Sequence, residues 1–204
     1  MLLIHTALPF EAHPIIRSLG LKQTGSPGGG RLYADNNDKY ALLVSGVGGN
    51  KTRKTLQALL DRLKTRNLAI NKALNIGLAA DPGKRFPIET ALSISSVRHF
   101  GHQEPIFDLS TLNNDLQSSP LRTIDTPCTD PTKFANDESI PLLDMEGWYF
   151  VDTLINDYDL SPDSIHSIKI VSDYGDGTSF NARGLASGYD EIIKTQLMHI
   201  MKTE

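Results

Sequence analysis

The chain has 204 residues, with 20 Lys and Arg against 24 Asp and Glu, a formal charge of −4 and 39% hydrophobic residues. That balance gives no support for a nucleic-acid or other polyanion surface, and no stretch approaches the roughly 20 continuous apolar residues of a membrane span. With Cys128 as the sole cysteine no internal disulfide can form, so a soluble protein in a reducing, cytoplasmic setting is expected, as one domain over residues 1–204.

The first segment, LLIHTAL, reads as a short buried strand that Pro9 interrupts. The apolar N-terminus lacks the basic leader and small-residue cleavage site of a signal peptide. EAHPIIRSLGL follows with helical spacing and is closed by Gly20. KQTGSPGGGR reads as a loop, with a proline and four glycines in ten residues. RLYAD and YALLVSG flank the turn residues NNDK and predict a hairpin. GVGGN comes next, and Asn50 is placed to cap a helix over KTRKTLQALLDRLKTR, where Leu56, Leu59, Leu60 and Leu63 form one apolar stripe. KALNIGLAA is a strand ended by Asp81, Pro82 and Gly83, and IETALSISSVRHF a long, partly alternating one. Between Gly101 and Ser139 the chain reads as loop with short strands. A helix after Glu146, the strand IHSIKIVSD, a glycine-rich loop YGDGTSFNARG and a final helix YDEIIKTQLMHIM complete it. Alternating strands and helices, with strands that are nearly continuous apolar runs, predict an α/β fold: a three-layer sandwich with a central mixed sheet flanked by helices.

Three acids share one setting. Glu11 follows the first strand, Glu146 follows PLLDM, and Asp173 ends IKIVSD. Ligands of open α/β sheets bind beyond the carboxyl ends of strands, so these carboxyls can converge on one cleft. Each also has a plain structural reading, because an acid in the first turn of a helix meets unpaired N–H groups and the positive end of the dipole, worth about 0.3–1 kcal/mol. In PLLDMEGWYF the question is whether a carboxylate placed where a buried strand hands over to a helix caps that helix or binds a sugar in a cleft.

Other motifs carry less chemistry. SGVGG, residues 45–49, is similar to a phosphate-cradling loop, but the G-x-G-x-x-G fingerprint fails at Lys51 and no P-loop signature occurs. The six histidines show no metal-ligand spacing; His99, His102 and Glu104 are the nearest to a set, and no metal is expected. Ser45 and Ser172 lack the G-x-S-x-G elbow of a hydrolase triad. Trp148, Tyr149 and Phe150 read as packing between helix and sheet.

Taken in order, these segments resemble the nucleoside phosphorylase and nucleosidase superfamily (the purine nucleoside phosphorylase/uridine phosphorylase family), closest to its methylthioadenosine/S-adenosylhomocysteine nucleosidases and futalosine hydrolases. HTALPFEAHPII is similar to the opening strand and the loop ending in a water-activating glutamate. LLVSGVGGNKT resembles the S-G-[IV]-G stretch and ALNIGLAADP the N-x-G-[ST]-A-G strand end. PIETALSISSVRHFG is similar to the long strand that follows, DMEG to E-M-E-[AG], and IKIVSDYGD to R-x-[IV]-S-D.

The resemblance implies hydrolysis of the N-glycosidic bond of a purine nucleoside, a role in nucleotide salvage and a homodimer, without metal or organic cofactor. Glu11 would deprotonate water, Glu146 would hold the ribose, and Asp173 would protonate the departing base. Val47, Leu78, Ala79, Ala80, Asp144, Met145 and Ser172 would contact the substrate. Two departures stand out: Leu78 replaces the hydroxyl residue of N-x-G-[ST]-A-G, and Ala80 its last glycine. Phosphorylases use that hydroxyl with nearby arginines to hold phosphate, and SGVGGNKT offers none before Arg53, so water is favoured as nucleophile. A phosphate-dependent phosphorylase and a catalytically degenerate nucleoside-binding protein are the alternatives.

Overall fold

The computed structural model describes residues 1–101, 105–111, 116–134, 141–177 and 189–196. Strands β1 (Leu2–Thr6), β4 (Tyr40–Val44), β5 (Lys72–Ala80) and β10 (Ile165–Asp173) form its parallel centre, in the order β10-β5-β1-β4. β1 and β4 are buried at every position, which is why they read as continuous apolar runs rather than alternating ones.

Helices cover both faces. Helix α1 (Pro9–Leu19) and the helical residues 189–196 pack on one side with Ile4, Leu42, Leu74 and Ile168. Helices α2 (Gly49–Thr65) and α3 (Gly147–Asp152) pack on the other with Leu3, Leu43, Ala73 and Leu92. The predicted stripe Leu56, Leu59, Leu60 and Leu63 is the buried face of α2. Gly20 ends α1 in the left-handed region, φ 63°, where glycine carries no Cβ penalty.

The remaining strands do more than extend the sheet. β2 (Lys22–Gly25) and β3 (Arg31–Ala34) add an antiparallel edge beside β4. On the other side β10 pairs with β6 (Ala91–His99), to which β7 (Phe107–Asp108) also pairs, β6 with β8 (Ser118–Thr123), and β8 with β9 (Leu142–Asp144). β9 then returns to β5 through the pair Ala80–Leu143, so β5, β10, β6, β8 and β9 close into a ring.

The structure corrects the sequence reading at two points and sharpens it at others. KQTGSPGGGR is not all loop: Lys22–Gly25 is an edge strand, invisible to pattern because its residues are exposed or half-buried and carry no apolar alternation. Asn50 is not the cap of α2, which starts at Gly49 with Gly48 before it at φ 100°. A Cβ at Gly49 would lie 2.0 Å from the Tyr149 ring, so only glycine opens that helix. Between 101 and 139 the chain forms β7 and the six-residue β8. Residues 178–184 of the glycine-rich loop and 197–201 of the predicted final helix lie outside the described residues.

Truncating Leu59, fully buried in α2, removes a side chain from the centre of one helical layer. Leu59→Ala is expected to lower the unfolding free energy by about 2–5 kcal/mol, read as a fall in the urea midpoint.

Candidate active site

The site occupies a gap in the ladder. β5 is paired with β1 along one edge from Lys72 to Asn75, and the same edge meets β9 only at Ala80. Ile76 to Ala79 therefore have no strand partner on that side, and a cavity of about 440 Å³ opens there. Its volume falls within the usual range for small-molecule sites, roughly 300–1,000 Å³.

Glu11 fills part of the gap. It is the third residue of α1 and only 2% exposed. Its Oε2 accepts the N–H groups of Ala7 at 2.9 Å and Leu8 at 2.7 Å, which caps the helix. Its Oε1 accepts the Leu78 N–H at 3.1 Å, a donor that a continuous ladder would give to a neighbouring strand. Burial raises the Glu11 pKa; the backbone N–H groups and Lys169 oppose that rise. A carboxyl so placed is a stronger base than one in water.

In DMEG the two acids divide their work. Asp144 is the cap: its Oδ2 accepts the Gly147 N–H at 2.8 Å and its Oδ1 the Thr123 hydroxyl at 2.7 Å. Oδ2 also lies 2.8 Å from Lys169 Nζ, and both side chains are buried. Glu146 reaches across the site instead, where its Oε1 accepts the Gly48 N–H at 2.6 Å. Its pKa is raised to about 7, mainly by burial and then by the adjacent Asp144, against the pull of Lys169. The SGVGG loop thus spends the Gly48 amide on a carboxyl of its own chain, not on a phosphate.

Asp173 ends β10. Its Oδ1 accepts the Gly175 N–H at 2.8 Å, and the Ser172 Oγ lies 2.6 Å from its Oδ2 and 3.2 Å from the Ala79 carbonyl. The Ser172 hydroxyl is thus held between the Asp173 carboxyl and the Ala79 carbonyl.

Glu11, Glu146 and Asp173 all line the large cavity, as do Val47, Leu78, Ala79, Ala80, Asp144, Met145 and Ser172. Leu78 contributes its backbone N–H to Glu11 and an apolar side chain to the wall. Asp144 lines the cavity, but its oxygens are engaged by Thr123, Gly147 and Lys169. Among the described residues no Lys or Arg lines the cavity and no three metal-ligating side chains group together. His99 meets Asp125 at 3.2 Å and Tyr149 Oη at 3.1 Å; His102 and Glu104 lie outside the described residues. Trp148 and Phe150 are buried, and Phe150 stacks on His5 with ring centroids 5.0 Å apart.

Sequence reasoning missed Lys169, whose signal was a lone cation inside IHSIKIVSD. It also missed a buried network under the loop. His5 Nε2 lies 2.9 Å from Ser45 Oγ and His5 Nδ1 2.9 Å from Asn75 Nδ2. Burial, then Lys169, pushes the His5 pKa down to about 3, so the ring is neutral. Pro127, Cys128 and Thr129, which form another wall, come from a stretch with no periodic signal.

Two stability measurements test these assignments. Asp144→Ala leaves the Lys169 ammonium buried without its partner and is expected to cost about 3–5 kcal/mol in urea unfolding. Glu146→Gln behaves differently. The folded-state pKa of Glu146 exceeds its unfolded value of 4.5, so wild-type stability falls as pH rises from 4.5 to about 7 and levels off above. The Gln variant lacks this loss; its Tm relative to wild type is expected to climb over that window. A Tm difference independent of pH means the carboxyl is not shifted.

No protein-family model matches the sequence, and no curated protein matches it significantly. Solved structures do. The 5′-methylthioadenosine/S-adenosylhomocysteine nucleosidase of Helicobacter pylori, with a bound Immucillin, aligns at TM-score 0.77 and 17% identity over 97% of each chain. Futalosine hydrolase of Helicobacter pylori aligns at 0.79 and 16%, over 100% of this chain and 97% of its own. The corresponding nucleosidase from S. pneumoniae, with a transition-state inhibitor, aligns at 0.76 and 15% over 98% of each. The mixed sheet, its helical layers and their order along the chain are thus those of these nucleosidases, and the chain has the nucleoside phosphorylase-like α/β fold.

Proposed function

We infer that the chain is an N-glycosidase, hydrolysing a purine nucleoside to free base and sugar. The observation that carries this reading is the convergence of Glu11, Glu146 and Asp173, from three separate segments, on one cavity of nucleoside size. Water rather than phosphate is the nucleophile in this reading, because no described Lys or Arg lines the cavity and Lys169 is committed to Asp144.

The chemistry divides among the acids. As the bond from C1′ to the base nitrogen breaks, positive charge develops on the sugar and negative charge on the base. Asp173 gives a proton to N7 of the base. Water attacks C1′ from the opposite face and loses a proton to Glu11. Glu146 accepts hydrogen bonds from the ribose hydroxyls and stabilises the cationic sugar. Protonating the base and activating water with two separate carboxyls is the arrangement of inverting glycosidases.

The substrate class is a 5′-modified purine nucleoside, such as methylthioadenosine, adenosylhomocysteine or futalosine. The two kinds of structural neighbour, methylthioadenosine/adenosylhomocysteine nucleosidases and futalosine hydrolase, support it. A cytoplasmic homodimer belongs to the same reading; no helix among the described residues is long and apolar enough to cross a membrane.

Chromatography of free base, with and without phosphate, over a panel of methylthioadenosine, adenosylhomocysteine, futalosine, adenosine and inosine tests this function. Base and free sugar are expected in phosphate-free buffer. Release only with phosphate makes the chain a phosphorylase, and ligand binding without turnover makes it a binding protein. Asp173→Asn is expected to lower kcat by about 10²–10⁴; near-normal turnover in that variant removes Asp173 as the acid.

A further inference from the structure

A second void, of about 10 Å³, adjoins the large cavity. It shares Glu11 and Glu146 with that cavity and is otherwise walled by groups that include Asn75, Gly77 and Lys169. Its volume is about that of one water-sized probe, the least that holds a water, and a buried water needs two to four polar partners.

The hydrogen-bond chain through His5 fixes what Asn75 presents. Ser45 Oγ donates to the Gly46 carbonyl at 2.8 Å, so it accepts from His5 Nε2–H. The neutral ring then has its lone pair on Nδ1, which accepts from Asn75 Nδ2. That leaves Oδ1 as the other end of the amide. Asn75 is 1% exposed, and among the described residues Oδ1 has no hydrogen-bond partner. A buried acceptor left unmet is costly.

Gly77 leaves the room. A Cβ on it would lie 3.2 Å from Glu11 Oε1 and 3.7 Å from Lys169 Nζ, between the carboxyl and the ammonium. Resting on the nucleosidase reading above, we propose that the void holds one water, bound by Asn75 Oδ1 and Lys169 Nζ, which passes the proton gained by Glu11 in each turnover to Glu146. Four partners match the four sites of a water. It accepts from Lys169 and from protonated Glu11, and it donates to Asn75 and to the Glu146 carboxylate. In the transfer Glu11 gives its proton to the water oxygen while the same water gives one of its own to Glu146. Two O–H bonds break and two form; the water and the total charge are unchanged. Glu146 faces the large cavity; once product has left, the proton passes to solvent there, and Asp173, on the same cavity, takes one back from solvent. Asn75 is a positioning residue in this scheme, and Gly77 the position that keeps the space.

Gly77→Ala fills the void, and Gly77→Ser places a hydroxyl near where the water sits. Proton return follows bond cleavage, so Gly77→Ala is expected to keep its single-turnover rate and kcat/KM within about twofold while steady-state kcat, and KM with it, falls about 10- to 100-fold, turning the time course into a burst. Gly77→Ser is expected to recover part of that loss. Equal loss in both variants, or an undiminished kcat in Gly77→Ala, overturns the relay. A crystal structure of the wild-type chain gives a readout that needs no turnover: one ordered water within hydrogen-bond distance of Asn75 Oδ1 and Lys169 Nζ is expected. A dry void in an enzyme that cleaves nucleosides overturns the relay and leaves the nucleosidase standing. A wild-type chain that cleaves none of the panel overturns the nucleosidase reading, and the relay with it.

Discussion

One buried ammonium set among three carboxyl groups is the constraint on which the site depends. Lys169 sits in β10 at hydrogen-bond distance from Asp144, and its charge also acts on Glu11 and Glu146. Three ionised carboxylates around one cation would leave two surplus negative charges out of water, a cost that burial makes prohibitive. The raised pKa values of Glu11 and Glu146, driven first by burial, express that cost. The same ion pair ties the end of β9 to β10 and so sets where α3 begins, with Glu146 as the residue before it.

Division of labour within a short segment follows from this. Asp144, two residues before Glu146, meets every structural demand at the turn: cap, hydroxyl partner and counter-ion. Glu146 is thereby released to reach Gly48 across the cavity. Glu11 carries both kinds of duty at once, with Oε2 on the helix end and Oε1 on the strand. Asp173 gains its orientation from the two neighbours that follow and precede it, Gly175 and Ser172.

Much of the fold was legible because burial on both faces leaves a plain signature. KALNIGLAA and IHSIKIVSD read as strands and are β5 and β10 over the same residues; the leucine stripe of α2 is its core face. β2 was missed because an edge strand with exposed side chains has no apolar pattern. The start of α2 was misplaced because the position is decided by the Tyr149 ring, a hundred residues away in the chain. The candidate acids could be found from their place after strands, whereas Lys169 and the His5–Asn75–Ser45 network could not. A buried polar residue does not name its partners locally; they lie on or just beyond other strands, and only the assembled sheet brings them within 3 Å of each other.

The gap in the β5 edge has a consequence for descent. Glu11 stands in for a missing strand by taking a main-chain hydrogen, and for a helix cap by taking two more. A lineage that ceased to cleave nucleosides would still need those three donors answered, so purifying selection on Glu11 outlasts catalysis. Asp173, whose contacts are a serine and a glycine of its own turn, has far less architecture hanging on it and is free to drift once the chemistry is abandoned. Among sequences of this fold, the aspartate should therefore vary more freely than the glutamate.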